Sequence, residues 1–497
     1  MFKRIFILSI FIAVYASHCQ AQRPQTHSSP KGMANVFNAF VTDKALKNAS
    51  VGFCMMDATD GKTLFTYNDS VALAPASCLK IATTGAALGL LGSNYRFSTK
   101  IGYDGLVDSV GVLHGDIIIK GGGDPTLGSD RWNDGSKMTD MAALVIKKIG
   151  YAGIKTITGK LVIDITHFDN GYCCRSWACD DTGNYFGAGA FGFNINENKY
   201  DVKLQAGNRP GDSVKIISYS PEPLHLHFDN RLVTGLPYSG DLSNIYPGAN
   251  DSSMCLDGSI QPSDKPFTIK GAMPNPPAFA AKYLAEKLYG SGLLNSKNNW
   301  QVNNGCNGIT YPSLKFTQSI ESPELMDIVH YTNLNSINLY AECILKETGK
   351  VMNELGTRNS GIHAVKNYWR TYGVDTTGLY MEDGCGLAKN DRISTRQICN
   401  MLSVISKQQH FPQFLNSLAV AGQSSAMKSM GKGTAIDGKM YCKTGHINGI
   451  RAYCGYFKNK AGRWVCFSLI VNNYTCSSKE IHDAIEKLLI RLATTGN

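Results

Sequence analysis

The sequence predicts an α/β protein: an antiparallel sheet flanked by helices, with a large β-rich segment inserted between two parts of the chain. Three observations carry this. Paired apolar runs surround Asp60-Gly61 near the start and Asn448-Gly449 near the end, each with the turn residues of a hairpin. Helical patterns, "LAPASCLKIATTGAALGLLG", "SINLYAECILKETG" and "SKEIHDAIEKLLIRLA", stand beside them. Between about residues 96 and 273 the texture changes to short β-type segments punctuated by glycine, such as "GVLHGDIIIKGGGDPTLG" and "KYDVKLQAG".

The elements follow in order. "MFKRIFILSIFIAVYASHCQAQ" joins Lys3 and Arg4 to an apolar run and a small-residue end, the pattern of a secretory signal peptide over 1–21 cut after Ala21. A lipoprotein reading would use Cys19, but His18 stands where a small residue is wanted. Gln22 to Pro30 reads as a polar tether, and structure is expected to begin with the strand pair around Asp60-Gly61. The first part of the main domain then spans 22–95, the insert, expected as two subdomains, 96–273 and the second part 274–497. Helices are expected at "PNPPAFAAKYLAEKLYGSG", with Pro276 and Pro277 at its start, and at "SPELMDIVHYTN", with Ser322 as cap. Asn448-Gly449 suggests a type I′ turn folding the strand of Lys443 back on that of Tyr453, with "RWVCFSLIVNN" as the next neighbour.

Composition narrows the partners. With 43% hydrophobic and 18% charged residues, the 497-residue chain is globular, so disordered and collagen-like classes are excluded. The formal charge of +10 becomes +8 without Lys3 and Arg4, and it is scattered without basic runs. Nucleic acid is therefore not expected, whereas an anionic polymer such as cell wall suits a mild positive excess. No segment beyond the signal is long and apolar enough to span a membrane. Fourteen of the 15 cysteines lie beyond Ala21, in a compartment that permits disulfides. A hairpin centred on Lys460 would set Cys454 opposite Cys466. No spacing reads as a metal site, "CCRSWAC" included.

Chemistry is suggested by Ser77 and Lys80, three residues apart where an apolar helix begins. Such a pair is either an N-cap with a solvated lysine, or a nucleophile beside its base. S-x-x-K also occurs at Ser28–Lys31 and Ser425–Lys428, but in a tether and in a glycine-rich stretch. "NLNSINLYAE" adds Ser336 and Asn338, with a second S-x-N at Ser296–Asn298, and "YCKTGHINGI" adds Lys443, Thr444 and Gly445. S-x-x-K, S-x-N and K-T-G in this order are the motif set of penicillin-binding proteins and class A β-lactamases.

With these motifs, and with "GDIIIKGGGDPTLG", "DDTGNYFGAGAFGFNINENKYDV", "EDGCGLAKNDRIST" and "GKGTAIDGKMYCKTGHINGIRAYCGYF", nearly the whole chain past the signal resembles the class C low-molecular-mass penicillin-binding proteins, D-alanyl-D-alanine carboxypeptidases/endopeptidases. The long spacing from Lys80 to Ser336 also matches that family and is too long for a class A β-lactamase. The resemblance implies a β-lactamase/transpeptidase-like domain, export to the periplasm, peptidoglycan stem peptides as substrate, β-lactams as inhibitors, and no metal or cofactor. It also implies roles. Ser77 would be acylated, Lys80 would be its base, and Ser336 would pass a proton to the leaving amine. Asn338 would hold the substrate amide and the lysine, and Lys443 would supply positive charge. Thr444 would bind the terminal carboxylate beside Gly445, and the N–H groups of Ser77 and His446 would hold the oxyanion. Three departures stand out: His446 for a hydroxyl residue, Cys385 for serine, and "AGQSSAMKS" without its usual glycine-threonine step. A β-lactamase or esterase on the same scaffold, and a wall-binding protein without activity, remain as other readings.

Overall fold

The computed structural model describes residues 31–132, 137–224, 226–247 and 253–495. The signal-peptide, tether and Ser28 readings lie outside the described residues.

Structure begins earlier than the first hairpin. Helix α1 (Lys31–Val41) turns Met33, Phe37 and Phe40 inward, a helical repeat of apolar residues. Strands β1 (Ser50–Asp57) and β2 (Thr63–Tyr67) follow, then a 3-10 turn (Ala76–Leu79) and helix α2 (Lys80–Leu91). The inserted region opens with β3 (Ser98–Val107), β4 (Val112–Lys120), α3 (Met138–Tyr151) and β5 (Leu161–Asp164). It continues through β6 (Lys199–Gln205), β7 (Lys215–Ser220), β8 (Phe267–Ala272), α4 (Pro276–Gly290), β9 (Trp300–Asn303) and β10 (Lys315–Glu321). Helices α5 (Leu325–Leu334), α6 (Asn338–Asn353), α7 (Arg358–Thr371) and α8 (Thr395–Ile405) come next. The chain closes with β11 (Ala419–Val420), β12 (Met440–Ile447), β13 (Ile450–Lys458), β14 (Trp464–Asn472) and α9 (Ser478–Thr495).

The main sheet runs β11-β12-β13-β14-β1-β2, antiparallel throughout. Strand alternation sorts its side chains between two cores. Phe53, Met55, Phe467 and Leu469 join α1 and α9 on one face. Cys54, Met56, Cys454 and Ile470 join α2, α6, α7 and α8 on the other. A third core lies within the insert, around a mixed sheet ordered β9-β5-β4-β3-β10, and includes Ile117, Ile163, Leu284 and Leu288.

Several local expectations are corrected. The chain does not leave the insert at Pro274: α4 is buried in the third core, β9 pairs with β5, and β10 pairs with β3. Exit and return meet instead at Phe97 and Ser322, joined by two hydrogen bonds of 2.9 Å. Ser322 is thereby used as a clasp, so Glu324, not Ser322, stands at the N-cap of α5. In the β12–β13 turn only Gly449 takes positive φ (74°), the pattern of a type II turn, because glycine alone suffices and Asn448 avoids the left-handed cost. The β13–β14 hairpin pairs Cys454 with Ser468 and Cys466 with Tyr456. Its centre is one residue beyond Lys460, which makes the two cysteines diagonal neighbours, and both thiols are free.

Candidate active site

Ser77 lies on the 3-10 turn, one step before α2, and does not cap it: Leu79 is at the N-cap, without a side-chain bond. The preceding Ala76 is held at φ 46°, a strained value for alanine, in a tight turn below Gly386. Lys80, in the first turn of α2, is fully buried and directs Nζ at three oxygens: Ser77 Oγ at 2.9 Å, Asn338 Oδ1 at 2.6 Å and the Cys385 carbonyl at 2.8 Å. Three acceptors match the three hydrogens of an ammonium. As a neutral amine, the same nitrogen can keep two of these bonds and turn its lone pair to Ser77. Burial favours that neutral form and lowers the Lys80 pKa, opposed by the nearby acidic side chains of Asp383 and Glu342.

Ser336 and Asn338 come from the junction of α5 and α6. Ser336 takes φ 59°, and its Oγ accepts from Lys443 Nζ at 3.0 Å. Asn338 opens α6, with its Nδ2 donating to the Phe186 carbonyl at 2.8 Å while its oxygen faces Lys80. Lys443, on β12, also donates to the Thr444 carbonyl at 2.8 Å. Burial, then the nearby Lys80 charge, pushes its pKa down to about 7.

Strand β12 brings Thr444, Gly445 and His446 alongside Ser77. A Cβ on Gly445 would stand 2.6 Å from the Pro75 carbonyl and 3.1 Å from Ser77 N, so glycine permits this approach. The Met440 carbonyl accepts from Ala421 on the β11 side. By antiparallel alternation the N–H groups of Thr444 and His446 point the same way, to an edge that β11 covers only as far as Cys442. The His446 ring is exposed at its rim. Burial of its inner part and the Arg451 guanidinium across the ladder push its pKa down to about 4. Exposure alone would argue for an ordinary imidazole, and the facing cation is the firmer reason for the direction.

Thus hydrogen bonds join Ser77, Lys80 and Asn338 on one side and Ser336 and Lys443 on the other, and Gly445 packs against the Ser77 turn with Thr444 and His446 as its neighbours on the strand. The other motif matches are bonded elsewhere: Ser425 Oγ bonds the Leu334 carbonyl, and Ser296 Oγ receives the N–H of Asn298. The carbonyls of Cys385 and Phe186 escaped sequence reasoning, since any residue type offers a carbonyl. Cys385 serves through its backbone, so replacing serine there leaves the Lys80 bond intact; burial and Asp383 hold its thiol protonated. Asp383 and Glu342 support this turn. Asp383 accepts from the N–H groups of Cys385, Gly386 and Ala388 and from Trp177, and Glu342 accepts from Gly384 and Arg358.

A family model described as the D-Ala-D-Ala carboxypeptidase 3 (S13) family matches residues 33–492. Among curated proteins, a D-alanyl-D-alanine carboxypeptidase from Actinomadura sp. is 26% identical over 470 residues, 92% of this chain and 83% of that one. D-alanyl-D-alanine carboxypeptidase DacB from Haemophilus influenzae is 24% identical over 465 residues, 90% of each chain. Among solved structures, penicillin binding protein 4 (dacB) from Haemophilus influenzae superposes with a TM-score of 0.77 at 20% identity, covering 93% of this chain and 100% of that one. The same protein complexed with a β-lactam gives a TM-score of 0.72 at 20% identity, covering 93% and 99%.

Proposed function

The chain belongs to the D-Ala-D-Ala carboxypeptidase 3 (S13) family, and on that premise we propose how its own residues carry out the reaction of a serine D-alanyl-D-alanine carboxypeptidase. The observation that carries the assignment is the 2.9 Å contact between Lys80 Nζ and Ser77 Oγ, with both other motifs closing on the same point. Neutral Lys80 takes the Ser77 hydroxyl proton as Oγ bonds to the carbonyl carbon of the penultimate D-alanine. The oxyanion lies between the N–H groups of Ser77 and His446. As the C–N bond breaks, Ser336 hands its proton to the departing D-alanine amine and is resupplied with the proton that Lys80 took, which returns Lys80 to its neutral form, while Lys443 keeps its charge and holds the Ser336 oxygen. Water then attacks the acyl-enzyme, with Lys80 again as base, and frees Ser77.

Asn338 keeps one amide hydrogen for the substrate peptide, because the other is held by Phe186. Thr444 receives the terminal carboxylate. A β-lactam enters by the same attack, but its leaving group stays tethered, so the acyl-enzyme persists. Peptidoglycan stem peptides are the substrate, cleaved as free termini and as cross-links, in the periplasm after removal of residues 1–21. Among the described residues no helix is long and apolar enough to cross a membrane. The insert is assigned to 98–321, between the Phe97–Ser322 clasp.

Intact-mass analysis after benzylpenicillin, with peptide mapping, should find one adduct on "PASCLK", and stem pentapeptides should lose one D-alanine. An adduct that survives Ser77→Ala would overturn the assignment.

A further inference from the structure

Arg451 has no task in the reaction as described, yet it lies on the strand next to Thr444 and His446. It lies on β13 directly opposite His446, while Tyr453 lies opposite Thr444. Alternation places the side chains of Thr444, His446, Arg451 and Tyr453 on the same face of the sheet. His446 and Arg451 form a pair without mutual backbone bonds, the closer of the two antiparallel arrangements. Thr444 is the diagonal neighbour of Arg451, within reach of a long side chain.

The guanidinium is poorly served by the protein. Its Nε is shielded from solvent and has no hydrogen-bond partner, and it forms no ion pair among the described residues. A permanently charged group whose buried donor has no partner in the protein is costly, and a carboxylate brought in by a substrate would satisfy it.

An anion does arrive in the reaction proposed above: the substrate's terminal carboxylate at Thr444. Lys443 is poorly placed to neutralise it, since it is buried, points at Ser336 and the Thr444 carbonyl, and shares the cleft with Lys80. We propose that Arg451 is the residue that selects for the terminal carboxylate, pairing with it across the His446 side of Thr444. This rests on the acyl-enzyme reading of Ser77. A planar guanidinium suits a carboxylate, and His446 fills the space between strand and substrate as a neutral donor. The hydroxyl residue that the family resemblance would place at 446 is thus replaced by a pair, His446 and Arg451, in which the charge comes from the neighbouring strand.

The test compares benzylpenicillin with its methyl ester, which lacks the anion. Second-order acylation rate constants for both are read by intact mass in the wild type, Arg451→Gln and Arg451→Lys, with thermal melting to check folding. The acid-to-ester ratio should fall roughly tenfold to hundredfold in Arg451→Gln, the size expected for a lost charge-assisted hydrogen bond. Arg451→Lys should recover part of it. Equal losses for acid and ester would make Arg451 a structural residue and overturn the proposal, as would an unchanged ratio. A wild type that forms no Ser77 adduct with either compound would overturn the acyl-enzyme reading as well. A normal adduct with a flat ratio would overturn only the role of Arg451.

Discussion

Lys80 and Lys443 are both buried lysines, and their surroundings give them different work. Lys80 faces Ser77 with its other bonds fixed by Asn338 and Cys385, so losing a proton makes it a base. Lys80→Ala should cut benzylpenicillin acylation by about 10² to 10⁴, the usual worth of a general base, measured by intact mass against time. Lys443 must instead be charged to act. Its pKa lies far below the ordinary 10.5, at about 7, so its charge is present below pH 7 and lost as pH rises through that value. The acylation rate should therefore fall on the alkaline side with an apparent pKa near 7. Lys443→Arg, which keeps its charge, should move that limb beyond pH 9. For His446 the sign differs from what an unperturbed histidine suggests. With its pKa pushed to about 4, the imidazole is neutral throughout pH 5 to 8. The ratio of wild-type to His446→Thr acylation should stay flat over that range, and a rise below pH 6.5 would mean that burial and the Arg451 charge do not hold the proton off.

At the scale of elements, the site depends on how closely strand β12 approaches the 3-10 turn of Ser77. Gly445→Ala puts a methyl group 2.6 Å from the Pro75 carbonyl, a distance that backbone cannot tolerate without moving. The strand and turn should part, widening the gap between the two oxyanion donors. Acylation should drop about 10²- to 10³-fold, the cost of one lost oxyanion donor. Stopped-flow kinetics would read this, and circular dichroism would check that the sheet is intact. A normal rate would mean that the Ser77 N–H is not a donor in the transition state.

For the whole molecule, the boundary of the insert can be tested by deletion. Removing 96–273 leaves α4 with Phe279, Leu284 and Leu288 stripped of their core, so that chain should aggregate. Replacing 98–321 by a short linker joins ends that already meet at Phe97 and Ser322, and this variant should remain soluble. It should acylate more slowly, roughly tenfold to hundredfold, because Asn338 loses the Phe186 carbonyl while Tyr340 and Lys346 lose Glu197 and Asp169. Size-exclusion chromatography and penicillin labelling separate these outcomes.

The sequence by itself determined what local chemistry can encode. Ser77 and Lys80 are one helical turn apart, Pro276 and Gly290 bound a helix, and paired apolar runs flank Asp60-Gly61 and Asn448-Gly449; each depends on neighbours within a few residues. The ordered motifs also named the residues proposed for the cleft. Tertiary structure alone decided which groups complete it. The carbonyls of Cys385 and Phe186 hold Lys80 and Asn338 across 305 and 152 residues, and β9 and β10 return to the insert past Pro274. Backbone carbonyls carry no residue signature, and pairing between distant strands leaves no period in the sequence. The facing of His446 and Arg451 follows from the two-residue closure at Asn448-Gly449 whether the turn is type II or type I′, whereas only the packing of β12 on the Ser77 turn, between segments far apart in sequence, brings that strand to the nucleophile.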